Sequence, residues 1–216
     1  MTHRSTPDLL LLHAVRLLGF ADSATIAAHA GTDPDEALRR LEDAEREGWV
    51  QHMAFADLGG WSLTDSGKAE NERRLAAERE AADPENVVKA VYRDFLPLNA
   101  RLLRAVTDWQ IKPTAADRFA PNDHTDRTWD ARVLDTLTTL NTALAPLTGR
   151  LTDVLARFDG YASRFESALR HAGNGRPEWV DRTDVDSCHR VWFQLHEDLV
   201  ATLGIDRFTE DTGGPR

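Results

Sequence analysis

The chain has 216 residues, enough for one large domain or two smaller ones, and its 41% hydrophobic and 29% charged residues exclude a disordered polymer. Its net charge is −10, shared by both parts: residues 1–82 hold nine Lys or Arg against fifteen Asp or Glu, and residues 83–216 hold seventeen against twenty-one. With that balance, any nucleic-acid contact would have to concentrate its few arginines locally, and the longest apolar run, Leu9–Leu12, is far short of the roughly 20 residues that span a bilayer.

Asp8 opens the first predicted helix, which runs to about Leu18 and stops at Gly19. Its residues are apolar nearly all round, so it must be buried on more than one side, and a homodimer or a neighbouring domain is expected to cover it. Ser23 opens a short helix through Ile26, Ala27 and Ala30, ended by Gly31. Thr32 and Asp33 then cap a third helix, with Pro34 at its first position and Ala37, Leu38, Leu41 and Ala44 on its inner face. After Gly48 the period changes. Trp49 to Phe55 reads as a strand, Asp57-Leu58-Gly59-Gly60 as a turn and Trp61-Ser62-Leu63 as a second strand. Thr64 or Ser66 caps a polar helix reaching Glu80. Three helices followed by a β-hairpin make a winged helix-turn-helix over residues 1–82.

The stretch Leu41 to Val50 and the sequence Trp61-Ser62-Leu63-Thr64-Asp65-Ser66-Gly67-Lys68 resemble the MarR-like winged-helix transcriptional regulators. The likeness covers the first third of the chain and implies a DNA-binding regulator. The residues it places against DNA are Thr32, Arg39, Arg40, Arg46 and His52. The chain departs from the family in two places. Its recognition helix opens on Asp33, Asp35 and Glu36, and the hairpin tip, Ala54 to Gly60, carries Asp57 and no Arg or Lys. Carboxylates there repel phosphate, although one can accept from a cytosine amino group.

A second region spans residues 83–208. Its first helix starts at Pro84 or Glu85 and carries Val88, Val91, Phe95, Leu102, Val106 and Trp109, with a kink expected at Pro97. Residues 111–127 read as a long loop. Thr128 opens a helix with Val133, Leu137, Leu140 and Leu144, which Pro146 and Gly149 are expected to interrupt before Leu147, Leu151 and Phe158 continue the pattern. A further helix runs through Tyr161, Phe165 and Ala168, and a last one from Asp184 or Asp186 to Leu203. The fold class is therefore mainly α, the winged helix being followed by an antiparallel helical bundle. Residues 209–216 are expected to be a disordered tail.

The only cysteine is Cys188, so no internal disulfide forms, and Met1 to Arg4 lead into no signal-peptide core; a cytoplasmic location is expected. No phosphate loop, dinucleotide fingerprint or paired-cysteine zinc motif is present, and no catalytic residue is assigned. Two clusters in the second region suit a ligand pocket. The loop supplies Asn122, Asp123, His124 and Asp126, and the last helix supplies His189, Trp192 and His196, with Trp109 as a further wall. On that helix Asp186, Arg190, Gln194 and Glu197 are expected to face water. Adjacent residues on a helix point apart, so Cys188 and His189 form no nucleophilic pair. Three readings follow. In the first, a dimeric transcriptional regulator binds double-stranded DNA and senses a small-molecule effector. In the second, an acidic winged helix docks on a protein partner. In the third, an enzyme uses Asp123, His124, His189 and His196, with the metal and cofactor unknown.

Overall fold

The computed structural model describes residues 2–55 and 58–205, and shows a mainly helical chain with one small antiparallel two-stranded sheet. It divides into two compact units. Unit 1 takes Met1–Glu85, Leu155–Arg157 and Glu197–Arg216; unit 2 takes Asn86–Val154 and Phe158–His196. The boundary near residue 82 is thus displaced by three residues, and two short pieces from late in the chain join the first unit. The expected tail, 209–216, and the turn residue Asp57 lie outside the described residues.

Unit 1 begins with α1 (Pro7–Leu18), capped by Thr6, whose Oγ1 accepts from Leu9 N. Next come α2 (Ser23–Ala30), capped by Asp22, and α3 (Pro34–Arg46), capped by Asp33 through bonds to the amides of Asp35 and Glu36. Gly31 joins α2 to α3 in the left-handed conformation that favours glycine. The core of the unit brings Leu11, Leu12, Ala14 and Val15 of α1 against Ile26, Ala27, Ala37 and Leu41 of the next two helices. Val50 and Trp61 close it from the sheet.

The strands are β1 (Val50–Phe55) and β2 (Leu58–Leu63), registered with Val50 opposite Leu63 and His52 opposite Trp61. Gly59 and Gly60, expected in the turn, lie inside β2 opposite Ala54 and Met53. A Cβ on Gly60 would come within 2.6 Å of the Phe20 ring, so glycine is kept for a close approach from outside the hairpin. Thr64 caps α4 (Asp65–Ala82): its hydroxyl accepts from Gly67 N and donates to Gly48 O. Gly67 is locked too, because a Cβ there would lie 1.7 Å from the Trp49 carbonyl oxygen.

The apolar face of α1 needs no second subunit. Leu9, Leu11, Leu12, Ala14, Val15 and Leu17 are all buried within unit 1. Leu9 packs with Leu75 of α4 and with Ala201, from the end of the last helix. The chain by itself thus covers most of α1, and this helix adds no support for the expected homodimer.

Unit 2 is built on α5 (Val87–Gln110) and α6 (Arg127–Val154), which pack on each other, and on α7 (Tyr161–Gly173), which packs on α6. The short α8 (Glu178–Asp181) follows, and the last helix is α9 (Cys188–Leu203), whose Cys188–His196 part belongs to this unit. The interruption expected at Pro146 and Gly149 does not occur. Leu140, Leu144, Leu147 and Leu151 form one buried stripe through both positions. Burial of that stripe outweighs the hydrogen bond that proline removes.

Among the described residues no helix is long and apolar enough to cross a membrane.

Candidate functional site

The residues expected against DNA lie on unit 1, along α3 and the hairpin. Residues 33–47 hold seven carboxylates against three arginines, and each arginine is paired. Arg39 contacts Glu36, Arg40 contacts Asp8 and Glu36, and Arg46 contacts Asp43. Arg39 and Arg46 nevertheless extend outward, with 68% and 75% of their side chains exposed, whereas Arg40 is held back by its two partners. Thr32 donates its backbone N–H to Ala27 O in the turn before α3. His52 is exposed on β1, its ring packed against Trp61 at 4.7 Å and its backbone N–H donated to the Glu45 carboxylate. Arg74 of α4 stacks on Trp49 at 4.6 Å and is bound to Glu70. Arg39, Arg40, Arg46 and Arg74 thus each already have a carboxylate beside them.

In unit 2 the long loop is an ordered connector. Lys112 N donates to Ala120 O and Asn122 N to Gln110 O, so the two arms of the loop bond to each other. Asp123 accepts from both the N–H and the hydroxyl of Thr125, an Asx-turn that holds its carboxyl below the usual range. Asp126, rather than Thr128, caps α6 by accepting from Thr128 N and Trp129 N. Its carboxyl is also lowered, first by Lys112 at 2.9 Å and then by the capped amide of Trp129.

Asn122 is buried and sits at the centre of a small polar knot. Its amide nitrogen lies 3.0 Å from Trp109 O, 2.8 Å from Asp130 Oδ1 and 3.2 Å from His124 Nδ1. An amide has two hydrogens, and the two oxygens take them. His124 Nδ1 then carries its own proton and donates to Asp130 Oδ2 at 3.1 Å. The His124 ring rests on Trp109, centroids 4.6 Å apart. Trp109, Asn122, His124 and Asp130 therefore converge, and their polar groups satisfy one another.

His196 lies elsewhere on the same scaffold, near Phe95 and Tyr92 at ring separations of 5.6 and 6.3 Å. Phe95 and Trp109 are fourteen residues apart on α5, about 21 Å along its axis. The loop histidine and the α9 histidine therefore do not converge on one pocket. Among the described residues no group of three or more His, Cys, Asp or Glu is placed to hold a metal ion. The cluster proposed for an enzyme thus falls apart into two local arrangements.

Trp192 is core. It stacks on Phe95, meets Phe165 at a tilt and donates its indole N–H to Asn99 at 3.0 Å. Gln194, expected to face water, is buried, because Arg164 of α7 bonds it and grips Asp186 with two nitrogens. Burial pushes the Cys188 thiol up to about 12. Burial also lowers the half-buried His189, with Asp181 opposing the shift.

The most connected polar cluster of unit 1 was not anticipated from sequence. Arg157 has 3% of its side chain exposed, and reaches Glu78 at 3.1 Å, Thr202 at 2.8 Å and Asp198. Buried His13 of α1 lies between Asn71 (Nδ1, 3.3 Å) and Asp198 (Nε2, 3.1 Å). Arg16, one turn on, bonds Glu72 at 2.9 Å and Glu197 at 2.8 Å. The available signal was His13 and Arg16 interrupting an otherwise apolar helix, since buried polar groups require partners.

Comparison of the chain with protein-family models, curated proteins and solved structures gives no match.

Proposed function

We propose that this chain is a cytoplasmic winged helix-turn-helix regulator, unit 1 contacting double-stranded DNA and unit 2 sensing a small molecule. The observation that carries it is the arrangement from α2 to β2. A short helix, a left-handed glycine turn and a longer helix are followed by a hairpin; α3 buries Ala37 and Leu41 and turns Arg39 and Arg46 outward. Their ion pairs are solvent-exposed and cost little to exchange for phosphate, since exposed pairs contribute roughly 0–1 kcal/mol. The reading assigns no reaction to the chain. It requires the effector to bind two arrangements of the protein with different affinity.

A second reading is favoured by one specific observation, the surplus of four carboxylates over residues 33–47. In it the α3 face docks on a basic protein partner.

Titration of the full chain against a duplex from upstream of its own gene, over a range of salt concentrations, decides between them. With Arg39 and Arg46 as the phosphate contacts, the log–log salt slope should be about −2 per bound copy. Replacing both with alanine should weaken binding about tenfold or more and flatten the slope. Absence of any salt-sensitive binding transfers the function to the protein-docking reading.

A further inference from the structure

We propose that the groove between α5 and α6 is a binding site for a phosphate monoester attached to a flat ring. The inference rests on the reading of unit 2 as the sensing unit, and names the chemistry it senses. The groove has a volume of about 570 Å³, within the size range of small-molecule sites.

Its floor is apolar, with Ala105 of α5 and Val133 of α6 both buried. One wall is Trp129. The indole N–H of Trp129 donates to Asp108 O at 2.5 Å, which fixes the ring, and the Arg132 guanidinium lies over it at 4.9 Å. Arg101 and Arg104 reach the groove from α5. Among the described residues none of these three arginines, which line one groove together, has an ion-pair partner.

Three arginines line the groove with a single acidic residue, Asp108, in a chain whose net charge is −10. Arg101 and Arg104 are three residues apart on one helix, a spacing at which like charges repel. An anion placed between them relieves that repulsion. The local surplus of two positive charges fits a dianion, and the planar guanidinium fork matches phosphate oxygens in pairs. The stacked Trp129 and Arg132 then offer a flat surface to a ring joined to that phosphate.

The test is calorimetric titration of the full chain with adenosine 5′-monophosphate as probe, alongside adenosine and inorganic phosphate. The monophosphate should bind at least tenfold more tightly than either fragment. The double variant Arg101→Ala/Arg104→Ala should weaken it at least tenfold with an unchanged melting temperature, since both side chains are exposed. No binding at millimolar probe, equal binding of adenosine, or an unaltered double variant would each overturn the proposal. So would binding of only an oligonucleotide or an acidic peptide at the same arginines, which makes the groove a macromolecular surface. No duplex enters the titration, so its failure is distinct from failure of the DNA-binding reading.

Discussion

Glycine 67 illustrates how one atom constrains the first unit. The backbone oxygen of Trp49 occupies the place where a Cβ would stand, and backbone cannot rotate aside as a side chain does. Gly67→Ala should therefore destabilise the protein by about 3 kcal/mol in urea unfolding, the upper range for overpacking. Gly149 is its control. It sits inside α6 with open space around the same position, so Gly149→Ala should raise stability by about 0.5–1 kcal/mol. An unaffected Gly67→Ala variant or a destabilised Gly149→Ala variant would contradict the packing described at that site. At Cys188 the expectation is chemical. A buried thiol pushed up to about 12 should resist thiol reagents at pH 8 in the folded protein and react on unfolding. Fast modification of the native chain would show that the first turn of α9 opens.

At the scale of elements, α9 is the piece whose role its own periodicity conceals. Read as a helix, its turn-by-turn pattern puts Gln194 and Glu197 toward water. Packing instead buries Gln194 and Asp198, because arginines from other segments reach in to bond them. Within unit 1, Arg157 carries the largest share of this bonding. Replacing it with alanine leaves the carboxylates of Glu78 and Asp198 buried beside an empty place, and should cost about 3–5 kcal/mol. A loss under 1 kcal/mol, measured by urea denaturation, would mean that solvent reaches this network. The hairpin gives the complementary lesson. Gly59 and Gly60 read as a turn in sequence, yet the strand runs through both, and at Gly60 the Phe20 ring fills the room a side chain would need.

For the whole molecule one half-buried histidine and a few bonded carboxylates set the response to pH. His189 is lowered by burial, so the unfolded chain takes up its proton first as pH falls below about 6.5. Stability is complete above that value and declines as pH drops toward the folded pKa. Lowered carboxylates act further down. Glu70, lowered to about 2 by its bonds to Arg73 and Arg74, loses its contribution between about pH 4.5 and 2, and Asp123 and Asp126 act in the same direction. Melting temperature should thus be level above pH 7 and fall in two stages on acidification. His189→Gln should remove the first stage and leave the second. A variant that keeps the full decline near pH 6 would assign it to another group.

The sequence by itself determined the order of most elements and the ends of a few, where the ending depends on neighbours. Asp33 and Pro34 start α3, Gly31 turns the chain before it, and Thr64 caps α4 with atoms a few residues away. It also determined the acidity of α3, which is a matter of composition. Only the tertiary structure decided which distant groups meet. His124 found Asn122 and Asp130 close by in the chain and did not reach His196, because about 21 Å of helix α5 separates the aromatic rings on which the two histidines rest. Arg157 met Glu78 and Asp198 across 79 and 41 residues, and no local period encodes a pairing of that range. Continuity of α6 through Pro146 was likewise settled by burial of Leu144, Leu147 and Leu151, a favourable term that exists only once neighbouring helices cover them.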